Sequence, residues 1–101
     1  MNDEIYETVY VIVIEGNPDL MMPERQRRVL DALDRTRGCQ GWTDNDSGRV
    51  VVYDTADNAE SAWFKLSDVT RVSTAILTGK LDVNRHVLVS VGEPVRHMRL
   101  N

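Results

Sequence analysis

The acidic stretch at residues 44–48, DNDSG, is the first place where the residue types could bind a metal ion. An EF-hand calcium loop needs oxygen ligands at its first, third and fifth positions, glycine at the sixth and glutamate at the twelfth. With Gly48 in the sixth position the ligands would be Thr43, Asn45 and Ser47, and with Asp44 first the glycine falls fifth. No register satisfies the motif. Since Asn, Asp, Ser and Gly favour tight turns, the stretch predicts a turn between two strands.

Other residues capable of chemistry are few. Cys39, His86 and His97 are the soft or imidazole ligands of the sequence, and their spacing does not match a zinc site. Cys39 follows the end of a predicted helix, where the helix dipole disfavours a thiolate, so we expect a small core residue rather than a nucleophile. The sequence contains no phosphate-binding, dinucleotide or nucleophile-elbow motif. We therefore predict no metal, no cofactor and no catalytic residue.

Length and charge narrow the class of protein. A chain of 101 residues predicts a single domain, residues 1–101, with a loose tail at 93–101. The net charge of −4 disfavours nucleic acid and anionic membranes as partners. The N-terminus is acidic, unlike a signal peptide, and the apolar run Val9–Ile14 is too short to span a bilayer. We expect a cytoplasmic protein of bacterial or viral origin.

The order of the predicted elements indicates the fold. Residues 69–78 are rich in β-branched side chains, which favours a strand, although their apolar spacing also suits a longer second helix. The order β-α-β-β-α-(β)-β predicts an α+β, ferredoxin-like sandwich with two helices on one face of an antiparallel sheet. The predicted strands are 6–15, 39–43, 49–54 and 86–91, and the predicted helices are 23–37 and one that begins at a capping box, 57–60.

The face of the sheet that lies away from the helices is the candidate binding surface. We expect Val9, Val11 and Val13 to face the helices, which leaves Tyr10, Ile12 and Ile14 on the other side. For the strand at 49–54, the alternation of side chains does not decide which set lies on the same face. The two alternatives are Arg49, Val51 and Tyr53, or Val50 and Val52. An apolar patch of this kind is costly to expose, so a second subunit, a ligand or the segment 69–81 should cover it. The candidate residues are Tyr10, Ile12, Ile14, Arg49, Val51, Tyr53, His86 and Leu88.

Residues 6–66 resemble the dimeric α+β barrel group of ferredoxin-like proteins. The resemblance consists of a long first strand, a helix, GCQGW, a polar turn, RVVVYD and a helix starting NAESAWF. It implies that two sheets close face to face in a homodimer, in a group whose members include monooxygenases, isomerases and haem-handling enzymes. The pattern departs from the group after Asp68, and no motif allows catalytic residues to be carried over.

A second resemblance is to RNA-recognition domains, which share the β-α-β-β-α-β order and stack bases on strand aromatics. Residues 47–54, SGRVVVYD, are similar to the third-strand motif, and Tyr10 and Tyr53 would form the platform. The interior aromatics of that motif are missing, and the acidic balance opposes phosphate binding.

Three functions remain open at this point. The favoured one is a small non-catalytic binding or regulatory protein that acts through protein–protein contacts, such as a bacteriophage-type accessory or inhibitor protein. The second is a small-molecule enzyme or binder of the dimeric barrel type, in which His86 would be the polar group of the pocket. The third is a single-stranded RNA-binding module. The expected partner is another protein or a second copy of the chain.

Overall fold

The computed structural model describes residues 5–97, which form an antiparallel sheet with two α-helices on one of its faces. This arrangement confirms the predicted α+β, ferredoxin-like class, and a further strand follows the β-α-β-β-α-β order. The elements are β1 (Tyr6–Glu15), a 3₁₀ turn (Pro18–Leu20), α1 (Pro23–Asp34), β2 (Cys39–Asn45), β3 (Gly48–Tyr53), α2 (Ala56–Ser67), β4 (Ala75–Asp82) and β5 (Val87–His97).

Strand β1 lies at the centre of the sheet, whose strand order is β2-β3-β1-β4-β5. Its β-branched sequence suits a strand that is covered on both faces. It pairs antiparallel with β3 through Tyr10–Tyr53 and with β4 through Val9–Gly79. Strands β2 and β5 are therefore the two edges of the sheet.

Local sequence signals determine where both helices begin. Pro23 is the first residue of α1, as predicted, because its fixed φ suits the first turn and its missing N–H is not needed there. The N-cap of α2 is Thr55, two residues before the predicted cap Asp57, and its hydroxyl accepts a hydrogen bond from the Asn58 N–H at 3.1 Å. The Trp63 indole N–H donates to the Ser73 carbonyl at 2.7 Å and ties α2 to the loop before β4.

The expected assignment of the two sheet faces was wrong. We call the face under the helices the inner face and the opposite one the outer face. Tyr10, Ile12 and Ile14 pack on the inner face, whereas Val9 and Val11 lie on the outer face. Both sets are apolar. The alternation of side chains along the strand therefore assigns them to opposite faces but does not indicate which face packs against the helices. Larger side chains fill the deeper space below the helices. The inner core consists of Ile12, Ile14, Val29, Ala32, Leu33, Val51, Tyr53, Ala59, Ala62, Trp63, Leu66 and Ile76.

The segment after α2 divides into a loop and a strand. Residues 69–74 cross beside β1, where the Glu15 N–H donates to the Arg71 carbonyl at 2.9 Å. The strand β4 then begins at Ala75, so the strand prediction for 69–78 was right only for residues 75–78. Residues 93–97, expected to be loose, continue β5 alongside β4. The rest of the predicted tail, 98–101, lies outside the described residues.

The predicted hairpin turn lies within residues 44–48, between Asn45 at the end of β2 and Gly48 at the start of β3. The Asn45 side-chain oxygen accepts hydrogen bonds from the N–H groups of Ser47 at 2.8 Å and Gly48 at 3.0 Å. Gly48 has φ of +157°, and a Cβ at this position would lie 2.1 Å from the Ile14 carbonyl oxygen. Only glycine therefore lets β3 start so close to β1.

Tyr53 provides a test of the inner core through pH. Burial raises the pKa of Tyr53 to about 12, against the smaller opposing effect of its hydroxyl contact with Thr36. Between the ordinary value of 10 and about 12, the unfolded chain loses this proton while the folded chain keeps it, so stability falls as pH rises through that window. We expect the free energy of unfolding to fall by about 2 kcal/mol more in the native chain than in Tyr53→Phe between pH 9 and pH 11.5.

Urea unfolding of the two proteins at each pH measures this difference. Other groups that titrate in this range are common to both proteins, so they cancel in the comparison. Equal pH slopes for the native chain and Tyr53→Phe would show that the hydroxyl is not buried as the structure has it.

Candidate functional site

The outer face of the sheet carries a cavity at the end where β2 approaches the β4–β5 hairpin. Its volume is about 370 Å³. Beside it lies a small outer core in which Val9 and Val11 have no exposed surface, although no helix covers this face. The residues that line the cavity are Gln40, Gly41, Trp42, Thr43, Val52, Leu81, His86, Val87 and Leu88.

Curvature of the sheet creates this cavity. Three strand spacings of about 4.8 Å separate β2 from β4, so a flat sheet would hold their backbones about 14 Å apart. Instead, His86, in the hairpin after β4, contacts β2: its ring Nε2 lies 3.2 Å from the Gln40 carbonyl oxygen. A carbonyl only accepts hydrogen bonds, so His86 is the donor and its proton lies on Nε2. Register shifts along the β4–β5 pair add the twist that brings the hairpin across.

Gly79 leaves room for Leu88, which forms part of the cavity lining on the side of β5. This glycine lies in β4 between Val9 of β1 and Val91 of β5. A Cβ at Gly79 would lie 2.9 Å from Val11 Cγ2 and 3.0 Å from Leu88 Cδ1. The missing side chain therefore leaves the space in which Leu88 packs against the outer core. Leu77 and Leu81 pack in the same outer core as Val9 and Val11. Part of the segment 69–81 therefore helps to bury the outer face, and this segment was one of the three covers that the sequence analysis considered.

Most of the predicted binding face is buried under the helices. Ile12, Val51 and Tyr53 have no exposed surface, and none of them can contact a partner without loss of the core. His86 and Leu88, in contrast, do line the outer cavity. The structure therefore does not bring His86 together with Tyr10 and Tyr53, because the sheet separates them. The predicted residues on the inner face are Tyr10, Ile12, Ile14, Arg49, Val51 and Tyr53.

Arg49 is already paired within the chain. It is only 9% exposed, and its guanidinium donates to both carboxylate oxygens of Asp44, at 2.5 and 2.8 Å. The same guanidinium lies over the Trp42 ring, 5.4 Å from its centroid. This hydrogen bond from Arg49 holds the pKa of Asp44 below its ordinary value. The pair ties β2 to β3, and recognition of an outside partner by Arg49 has no geometric support.

The edge strand β5 is a feature that the sequence interpretation missed. Val87, Val89 and Val91 are 52%, 52% and 47% exposed, and Val95 is exposed as well. Within residues 5–97, β5 pairs only with β4, so the other side of its backbone has no partner strand. The opposite edge, β2, presents polar residues such as Gln40 and Asp44.

The described residues offer little for catalysis. Burial raises the pKa of the Cys39 thiol, and the negative charge of Asp34 raises it further, so the thiolate is disfavoured. No group of three or more His, Cys, Asp or Glu side chains in the described part of the chain could hold a metal ion. None of the helices within residues 5–97 is long and apolar enough to cross a membrane.

Comparison with known proteins adds a fold-level likeness. No protein-family model matches the sequence. No curated protein matches it either. A solved structure described as a C-terminal regulatory domain of aspartate kinase from Porphyromonas gingivalis superimposes with a TM-score of 0.50 at 13% sequence identity. The match covers 77% of this chain and 61% of that one, so the chain spans about three fifths of the neighbour's length. At this identity the likeness shows a shared ferredoxin-like fold.

Substitution of Gly79 tests the packing that closes the outer face. We expect Gly79→Ala to lower the free energy of unfolding by about 1–3 kcal/mol, because the new methyl group would overpack Val11 and Leu88. Ser90→Ala, on the exposed neighbouring strand, is the matched control and should change stability by less than about 0.5 kcal/mol. Denaturant unfolding measures both. Unchanged stability in Gly79→Ala would mean that Leu88 does not rest on this glycine.

Proposed function

We propose that the chain is a small, non-catalytic binding protein of regulatory type that acts through protein–protein contacts, with β5 as its contact strand. The observation that carries this proposal is the set of exposed valines on an edge strand whose outer side pairs with no other strand within residues 5–97. Unpaired N–H and C=O groups with apolar side chains form a template for another strand. The neighbour described as a regulatory domain of aspartate kinase supports the regulatory class, since both chains share the fold.

The partner that fits β5 best is a second copy of the same chain. Residues 87–92 carry no charge, and the exposed residues Arg85 and Glu93 flank them at opposite ends. Antiparallel pairing of two β5 strands centred on Val89 would bring Arg85, in the turn just before the strand, near Glu93 of the other copy. Parallel pairing would bring like charges together. Charge complementarity therefore selects an antiparallel homodimer with a continuous sheet.

This contact differs from the homodimer expected through the sheet face. The centre of the outer face is already buried by curvature and by Leu88, so a second sheet has little apolar surface left to cover there. The edge, in contrast, exposes Val87, Val89 and Val91. We therefore place self-association at β5. A role as a bacteriophage-type inhibitor would use the same strand against a host protein.

The two other candidate functions receive less support. An RNA-binding platform needs exposed aromatics, but Tyr53 is fully buried and its hydroxyl lies 3.1 Å from Thr36 Oγ1. A barrel-type enzyme would need His86 beside Tyr10 and Tyr53, and the sheet lies between them. Neither the RNA platform of Tyr10 and Tyr53 nor an enzyme pocket of His86 with those two tyrosines is formed.

Charge reversal at β5 tests the proposal. We expect Arg85→Glu and Glu93→Arg to weaken the dimer roughly tenfold each, since two surface pairs change from attraction to repulsion at about 0.7 kcal/mol apiece. The double variant should restore the dimer, because it recreates both pairs with the charges exchanged. Sedimentation equilibrium or native mass spectrometry measures the dissociation constants.

Arg27→Glu on the exposed surface of α1 is the control for Arg85→Glu, because it makes the same change in net charge away from β5. It should leave the dissociation constant unchanged. A native chain that stays monomeric at high micromolar concentration would contradict the homodimer. A dimer that resists both single reversals would place the contact elsewhere on the surface.

A further inference from the structure

The outer cavity has the size and composition of a small-molecule site. Ligand sites in proteins commonly measure about 300–1,000 Å³ and are lined mainly by apolar side chains with a few polar groups. The cavity measures about 370 Å³. Val52, Leu81 and Leu88 supply apolar lining, and Gln40, Thr43 and His86 supply polar groups.

The charges around the cavity restrict its ligand. Its lining residues include no Asp, Glu, Lys or Arg. The Nε2–H of His86, which also lines the cavity, is used in the hydrogen bond to the Gln40 carbonyl. A charged ligand would lose hydration in this site without gaining an opposite charge. A ligand with an apolar body and a hydroxyl group would lose little, because the hydroxyl of Thr43 offers a hydrogen-bond partner.

We propose that this cavity binds an uncharged small organic molecule that has an apolar body and a hydroxyl group. The body packs on Val52, Leu81 and Leu88, and the hydroxyl lies toward Thr43. The hydrogen bond between His86 and Gln40 holds the hairpin and β2 together as the two walls of the site. This function is separate from self-association at β5, since the site lies within one chain and needs no second copy.

The first experiment is a titration with a matched pair of probes. 1-Naphthalenemethanol is uncharged and carries a hydroxyl group, whereas 1-naphthoate has the same ring with a carboxylate. Methyl NMR shifts of Val52, Leu81 and Leu88 report binding. We expect saturable shifts of these methyl groups with the alcohol and at least tenfold weaker binding of the carboxylate. Absence of saturable shifts, or equal affinity for the two probes, overturns the assignment.

Variants locate the binding to the cavity. Thr43→Trp places an indole in the cavity from β2 and should abolish the shifts, whereas Ser61→Trp adds the same group on the exposed face of α2 and should not. If Thr43→Trp does not fold, Val87→Trp blocks the site from the opposite wall. Loss of binding in Ser61→Trp, or full binding in a folded cavity variant, contradicts the site.

The same titration on Arg85→Glu separates this site from the homodimer. Equal affinity of the probe for this weakened-dimer variant and for the native chain supports a site within one chain. Binding that requires the dimer overturns it. A native chain that binds the alcohol but never dimerises would reject the function proposed for β5 and leave the cavity site intact.

Discussion

The need to bury β1 on both of its faces is the constraint from which the rest of the structure follows. This strand lies at the centre of the sheet, and its side chains are apolar on both sides. The two helices cover the inner face, where Tyr10, Ile12 and Ile14 join the larger core. A sandwich of two layers offers nothing comparable for Val9 and Val11, so the sheet has to cover its own outer face.

The sheet buries its outer face by curving, and this curvature produces the two features to which we assign function. These features are the outer cavity and the exposed edge strand β5. Gly79 admits Leu88 above the outer core, and the hairpin reaches β2 through the contact between His86 and Gln40. The space that remains between β2 and the hairpin is the cavity. Because β5 is the last strand of the curl, its valines lie at the rim, where no element of the described chain covers them.

Sequence patterns predicted the elements more reliably than their orientation. Pro23, the turn at 44–48 and the valine-rich first strand each carry a local signal, and each lies where that signal placed it. The orientation of β1 has no such signal, since Val9 and Ile12 are equally apolar. The sequence also could not show that Arg49 is paired with Asp44, because a charge in a strand gives no sign of its partner. Six of the eight predicted face residues were misplaced by that single choice of orientation.

Function is therefore best sought where this chain departs from the fold that it shares. The β-α-β-β-α-β core provides a buried scaffold, and the solved neighbour shows that a sequence with 13% identity builds a similar one. Strand β5 and its hairpin come after that core. They supply His86, Val87 and Leu88 to the cavity, and they supply the exposed edge with Arg85 and Glu93 at its ends. The cavity takes Leu88 and the exposed edge takes Val89 and Val91 from this same strand, so one element added to the shared core supplies both proposed sites.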